Sequence, residues 1–333
     1  MSKHRMRIGL AAMVILAAVV VAGQAFGAAK YPSKSITFVA PSGAGGAFDV
    51  ALRVITKALS DNKIVDQQML VEAKPGGGGS VFLTEYVLKD SKNDHKLFLT
   101  SPTMLINNLK KEGNCPYTYT NTTPLAQFFV DFSTISVPAN SKYKDLKSLL
   151  TDVKADPTKL SWAGGSGPGA VWHLAFLLPA AKFGIPPKQI KYISYEGNAQ
   201  ALTAVLGGNA DVLSAASAAV AQYVEAGRIR VLAVNAPQRL GGVFKNVPTL
   251  KESGVQADFD IWRGVFGPAQ MSPEAKAYWI NAFEKLSKLD AWQKELDKKG
   301  WDADFKSGDA FKKALDQQHK DIGGLMKALD MAK

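Results

Sequence analysis

The 333-residue sequence is poor in the side chains that carry covalent and metal chemistry. Its single cysteine, Cys115, excludes an internal disulfide, so packed cores must hold the fold together. Its four histidines, His4, His95, His173 and His319, include no pair at metal-ligand spacing, and no His-Glu-x-x-His, Cys-x-x-Cys or calcium-loop pattern occurs. No metal and no cofactor is therefore expected, and catalysis that needs a metal cluster or an activated nucleophile finds no obvious constellation. Also absent is a basic arm: lysines are spread among aspartates and glutamates, so nucleic acid is not an expected partner. No internal repeat of about 20 to 50 residues appears, which sets solenoids and propellers aside.

The charge that is present is positive overall, +11 for the whole chain. Three of those charges, Lys3, Arg5 and Arg7, precede an unbroken apolar stretch from Ile8 to Gly23, followed by the small residues Ala25, Gly27, Ala28 and Ala29. That order is the layout of a secretory signal peptide over 1–29, cleaved near Gly27 to Ala29. The alternative, a retained anchor, needs about 20 apolar residues and finds roughly sixteen. No cysteine sits at the end of this segment, so a lipid anchor has no attachment residue. The expected location is the periplasm, and the remaining positive balance favours anionic ligands.

Beyond residue 30, strand-like and helix-like runs alternate. Ile36–Ala40, Leu97–Thr100, Ile135–Val137, Leu160–Ala163, Ile190–Ser194 and Val231–Val234 read as strands. Helical spacing appears in Phe48, Ala51, Leu52, Ile55 and Leu59, and again in Ala199, Leu202, Val205 and Leu206, where Gly207 and Gly208 supply a stop. Such alternation implies a mostly parallel sheet covered on both faces, and about 300 residues suffice for two domains. From Ser272 onward the pattern reads as helices alone, beginning with a Ser272 cap and Pro273 at the first helical position.

Glycine-rich turns carry the strongest functional signal. Pro41-Ser42-Gly43-Ala44-Gly45-Gly46-Ala47 joins a strand directly to a helix, and Ala163-Gly164-Gly165-Ser166-Gly167-Pro168-Gly169 repeats the arrangement in the second half. Glycine lets backbone approach a ligand, and the first amides of the helix lack internal partners and carry partial positive charge. An anion placed there meets donors already aimed at it. Two such turns suggest two jaws around one ligand; the alternative is a pair of ordinary tight turns. Neither is a nucleotide motif: no Lys-Ser or Lys-Thr follows the first, and Phe48 stands where a dinucleotide fingerprint needs glycine. The second resembles a nucleophile elbow at Ser166, but Pro168 occupies its last glycine position. A third cluster, Lys74-Pro75-Gly76-Gly77-Gly78-Gly79-Ser80, fits either a cleft edge or a surface loop.

Six blocks in order resemble the periplasmic solute receptors of tripartite tricarboxylate transporters: YPSKSITFVAPSGAGGAFDV, VEAKPGGGGS, LSWAGGSGPGAVWHL, YEGNAQALTAVLGGNADVL, GRIRVLAVNAPQRLGGVFKNVPTLKESG and IWRGVFGPAQMSPE. The resemblance spans nearly the whole chain after the leader. It implies an α/β, two-domain periplasmic-binding-protein fold of type II kind, each domain a mostly parallel sheet flanked by helices with the ligand cleft between them. Domain 1 is then 30–128 plus 236–333 and domain 2 is 129–235. It also implies a non-enzymatic monomer that captures a small organic carboxylate for membrane transporter subunits; delivery to a membrane sensor, or periplasmic hydrolysis, are the alternatives.

Position by position, the resemblance places ligand contacts at Ser42, Gly43, Ala44, Gly45, Gly46, Ala47 and Phe48, with Asp49 structural, at Ser101 and Thr103, and at Gly165, Ser166, Gly167 and His173. His173 also has a reading as the residue that orients its loop. Trp172, Tyr195 and Trp262 are further candidates, and Ser214 occupies a position where relatives often carry an aromatic residue.

Overall fold

The computed structural model describes residues 31–333 apart from 112, 114 and 258, so the leader assigned to 1–29 lies outside the described residues. Among the described residues no helix is long and apolar enough to cross a membrane.

Two sheets organise the chain. The first contains β1 (Ile36–Ala40), β2 (Met69–Ala73), β3 (Lys96–Thr100), β4 (Thr123–Val130), β10 (Trp262–Gly267) and β11 (Asp302–Ser307), ordered β11-β4-β10-β3-β1-β2. The second contains β5 (Ser133–Pro138), β6 (Ser161–Gly164), β7 (Lys191–Ser194), β8 (Val212–Ala216) and β9 (Ile229–Asn235), ordered β7-β6-β8-β5-β9. The chain crosses to the second sheet through Asp131 and Phe132, directly after β4, and returns to the first between β9 and β10.

Each sheet has a parallel core, β2-β1-β3 in one and β7-β6-β8 in the other. The departures from a mostly parallel expectation are the crossing strands and the edge, where β10, β4, β11, β5 and β9 all pair antiparallel. β1 shows why the core strands form: Ile36, Phe38, Val39 and Ala40 are all buried, as a strand covered on both faces requires.

Ten α-helices are described: α1 (Ala47–Asp61), α2 (Ser80–Lys89), α3 (Thr103–Leu109), α4 (Leu146–Ala155), α5 (Val171–Lys182), α6 (Asn198–Leu206), α7 (Ser217–Glu225), α8 (Pro273–Ser287), α9 (Asp290–Lys299) and α10 (Gly308–Ala328). The Ser272 side chain accepts the Ala275 N–H at 3.2 Å and Pro273 opens α8, as the sequence indicates. The C-terminal quarter is not all helix, because β11 closes one edge of the first sheet. Its apolar signal sits in Trp301 and Phe305 among charged neighbours; Trp301 stacks on Phe129 at 4.1 Å and Phe305 packs near Phe128. Trp279, Phe283 and Leu286 of α8 are fully buried against this sheet, each contributing about 1.5–3 kcal/mol.

Candidate functional site

Because β1, β2 and β3 run parallel, the connections leaving their C-terminal ends gather on one edge of the first sheet. These are the first glycine turn before α1, Gly76–Gly79 before α2, and Ser101–Pro102 before α3. They touch one another. A Cβ on Gly79 would lie 3.4 Å from Pro41, and one on Gly78 3.3 Å from Asn107, whose amide donates to the Gly78 carbonyl at 3.0 Å. The third glycine cluster therefore belongs to the same edge as the first turn. Ser101 is buried, with its hydroxyl 3.0 Å from that of Thr103.

Asp49 fixes the start of α1. Its carboxylate accepts the Gly45 N–H at 2.9 Å and pairs with Arg53, and the Arg53 hydrogen bond, aided by that from Gly45, holds it below the usual carboxylate range. The Gly46 N–H donates to the Gly43 carbonyl at 3.0 Å. Two of the turn's donors are thus committed to its shape, while Gly43, Ala44 and Gly45 stay exposed, and a Cβ on Gly43 or Gly45 would meet nothing within 4 Å. Gly45 adopts φ +75°, which a side chain would strain.

In the second sheet the parallel strands β6, β7 and β8 likewise release their connections on one edge. Gly165 packs so tightly that a Cβ would lie 2.4 Å from the Asn198 nitrogen, at the first residue of α6. This turn is held from below: Tyr192 donates to the Ser166 carbonyl at 2.8 Å, the Ser166 hydroxyl accepts the Trp172 N–H at 3.1 Å, and the Gly169 N–H donates to His173 Nδ1 at 2.8 Å. Burial pushes His173 down to about 4 and Tyr192 up to about 12, so the imidazole is the neutral acceptor this bond needs. Ser166 and His173 are each bonded to backbone and not to each other, so no serine–histidine dyad exists here. Gly167 is exposed with open space at its Cβ.

Other candidates are placed differently. Trp262 is buried between Phe266 and Phe311, with its indole N–H on Gln318 at 2.5 Å. Trp172 is buried, and the Ser214 hydroxyl, also buried, donates to its carbonyl at 2.9 Å. All three contribute to packing. Tyr195 is half-buried at the end of β7, its N–H on the Gly164 carbonyl at 2.9 Å.

Both edges adjoin the crossings. In the first sheet Gly264 of β10 lies opposite Thr100 and Trp262 opposite Val130; in the second, Ser133 lies opposite both Ala216 and Asn235. Here sits a buried ion pair that the sequence reading did not single out, Arg263 with Asp131 at 3.2 Å. Arg263 also donates to the carbonyls of Ile261 and Trp262, and its guanidinium lies 5.8 Å from the Phe48 ring centre, beside the start of α1. Burial raises the pKa of Asp131, which Arg263 partly offsets, and lowers that of Arg263. An arginine inside the apolar run Ile261-Trp262-Arg263-Gly264-Val265 is the signal that was available. Among the described residues, no group of three or more histidine, cysteine or acidic side chains is arranged to hold a metal ion.

Two α/β lobes, joined by crossings and carrying glycine turns at helix N-termini on the adjoining edges, define a solute-binding protein of the periplasmic-binding-protein class. A model of the tripartite tricarboxylate transporter family receptor matches residues 51–331, and the chain belongs to that family, whose members are receptors rather than enzymes. A UPF0065 protein of the gbd 5′ region in Cupriavidus necator is 31% identical over 277 residues, 81% of this chain and 79% of that one. A crystal structure of a TctC solute-binding protein from Polaromonas, without ligand, is 27% identical with TM-score 0.74, covering 90% of this chain and 99% of that one. An R. palustris protein solved with adipate shares the fold at 20% identity and TM-score 0.76, covering 91% of this chain and 99% of that one.

Proposed function

We propose that this protein is an extracytoplasmic receptor that catches a small organic carboxylate between its lobes and delivers it to the membrane subunits of a tripartite secondary transporter. The observation that carries the reading is the placement of glycine turns and helix N-termini on the edge of each sheet that adjoins the crossings. Backbone donors on opposite sides of a seam suit an anion with acceptor oxygens at both ends. Adipate on a relative of the same fold has that form.

In this reading the protein is a monomer exported across the inner membrane, with domains at 30–128 plus 236–333 and at 129–235. The contacts come from Ser42 to Phe48, Ser101, Thr103, Gly165 to Gly167 and Tyr195. His173 and Asp49 shape their turns instead of touching the guest. A thermal-shift screen of dicarboxylates, tricarboxylates, aromatic acids and acidic amino acids tests it, because a ligand at 100 times its Kd stabilises by about 2.7 kcal/mol. A melt unmoved by every carboxylate at millimolar concentration sinks the reading.

A further inference from the structure

The C-terminal residues cross the boundary between the lobes. After α10 the chain turns at Asp330, whose φ of +59° redirects it, and then runs beside α3. Lys111 donates its N–H to the Met331 carbonyl at 2.8 Å, Lys333 donates to the Leu109 carbonyl at 2.9 Å, and Ala332 bridges Lys110. These bonds fasten the tail to the lobe of the first sheet. Its side chains reach the other lobe. The Asp330 carboxylate contacts Lys111 at 2.6 Å with one oxygen and Lys188, in the connection before β7, at 3.4 Å with the other. Met331 Sδ lies 3.4 Å from where a Cβ would stand on Gly169, the residue of the second glycine turn bonded to His173.

We propose that residues 330–333 form a strap that ties the first lobe to the second beside the second glycine turn and limits how far the lobes part without ligand. The inference rests on the two-jaw reading above and adds its regulation. Exposed ion pairs are weak singly and are screened by salt. One carboxylate shared by lysines of two bodies nevertheless biases their separation. Apparent affinity scales with the fraction of binding-competent molecules, so a strap that favours near-closed lobes tightens binding without touching the guest.

Asp330→Asn keeps a side chain that tolerates the left-handed turn and removes only the charge. Small-angle scattering of the unliganded protein should give a larger radius of gyration for D330N, for Lys188→Glu and for a chain ending at Leu329. The unaltered protein should move toward their value at about 1 M salt, where the screening length falls to about 3 Å. With adipate as the probe, D330N should release ligand about three- to tenfold faster, the usual place for an affinity loss to appear. Equal radii for the unaltered protein and D330N at low salt overturn the strap, whatever adipate does. Failure of adipate to bind any form counts against that carboxylate and leaves the scattering result to decide the strap.

Discussion

Removing the Asp131 carboxylate should destabilise the protein far more than its small size suggests. Both members of the pair are buried, with side-chain exposures of 11% for Asp131 and 7% for Arg263. Asp131→Ala leaves the guanidinium with its bonds to the Ile261 and Trp262 carbonyls but with no counter-charge, and breaking a buried pair this way costs about 3–5 kcal/mol. At about 2–4 °C per kcal/mol for a domain of this size, the melting temperature should fall by about 6–20 °C. Replacing both partners, Asp131→Leu with Arg263→Met, should recover most of that loss, because no buried charge then remains unpaired. The assay is a thermal or urea melt of Asp131→Ala and, read as a cycle, of Asp131→Leu, Arg263→Met and the variant carrying both. A double variant that loses the sum of the singles, or an Asp131→Ala protein that melts within about 2 °C of the unaltered one, refutes the reasoning that the crossing is held by a desolvated pair.

The glycines of the second turn should separate shape from access. Gly165→Ala forces a methyl group against the Asn198 backbone and should cost about 1–3 kcal/mol in a melt, whereas Gly167→Val, which meets open space, should leave the melt within about 0.5 kcal/mol yet abolish carboxylate binding by calorimetry. His173 is depressed from 6.5 to about 4, so its neutral form contributes fully above about pH 6.5 and that contribution is lost as pH falls toward 4; melting and ligand affinity should decline together across this window, and His173→Gln should flatten that part of the profile. Asp302 behaves oppositely. Burial, with Asp131 and Asp297 nearby, raises it from 3.8 to about 6, so its contribution is complete below about pH 4 and disappears as pH rises through 6. That elevation corresponds to about 3 kcal/mol, which partial exposure reduces to about 1–2 kcal/mol. Asp302→Asn should therefore raise the melting point at pH 7, and an unchanged melt there removes Asp302 from the account.

Much of the architecture could be read from local pattern. The run Ile36–Ala40 has the strand bounds expected of it, and the spacing of Ala51, Leu52, Ile55 and Leu59 marks the buried face of α1. Such signals are legible because neighbouring residues share one environment. β2, β4, β8, β10 and β11 were not singled out: their residues become strands by pairing with partners distant in sequence, as Asp302 does with Val130. The same limit applies to the site. Gly45 and Gly167 announce themselves by composition, while the partners that hold Trp262 and Ser214, Gln318 and the Trp172 carbonyl, are seen only in the fold.

Taken alone, the sequence determined the fold class, the family resemblance, the impossibility of an internal disulfide, and the two glycine turns, since each is written in residue type and near-neighbour spacing. Only the tertiary structure decided that Gly76–Gly79 joins the first turn, that His173 accepts from Gly169, that Arg263 and Asp131 pair at the crossing, and that the tail reaches Lys188. Apart from the four-residue reach from Gly169 to His173, these are contacts between segments up to 142 residues apart, and the orientation of a side chain toward such a partner is fixed by how sheets and helices pack, which no local pattern encodes.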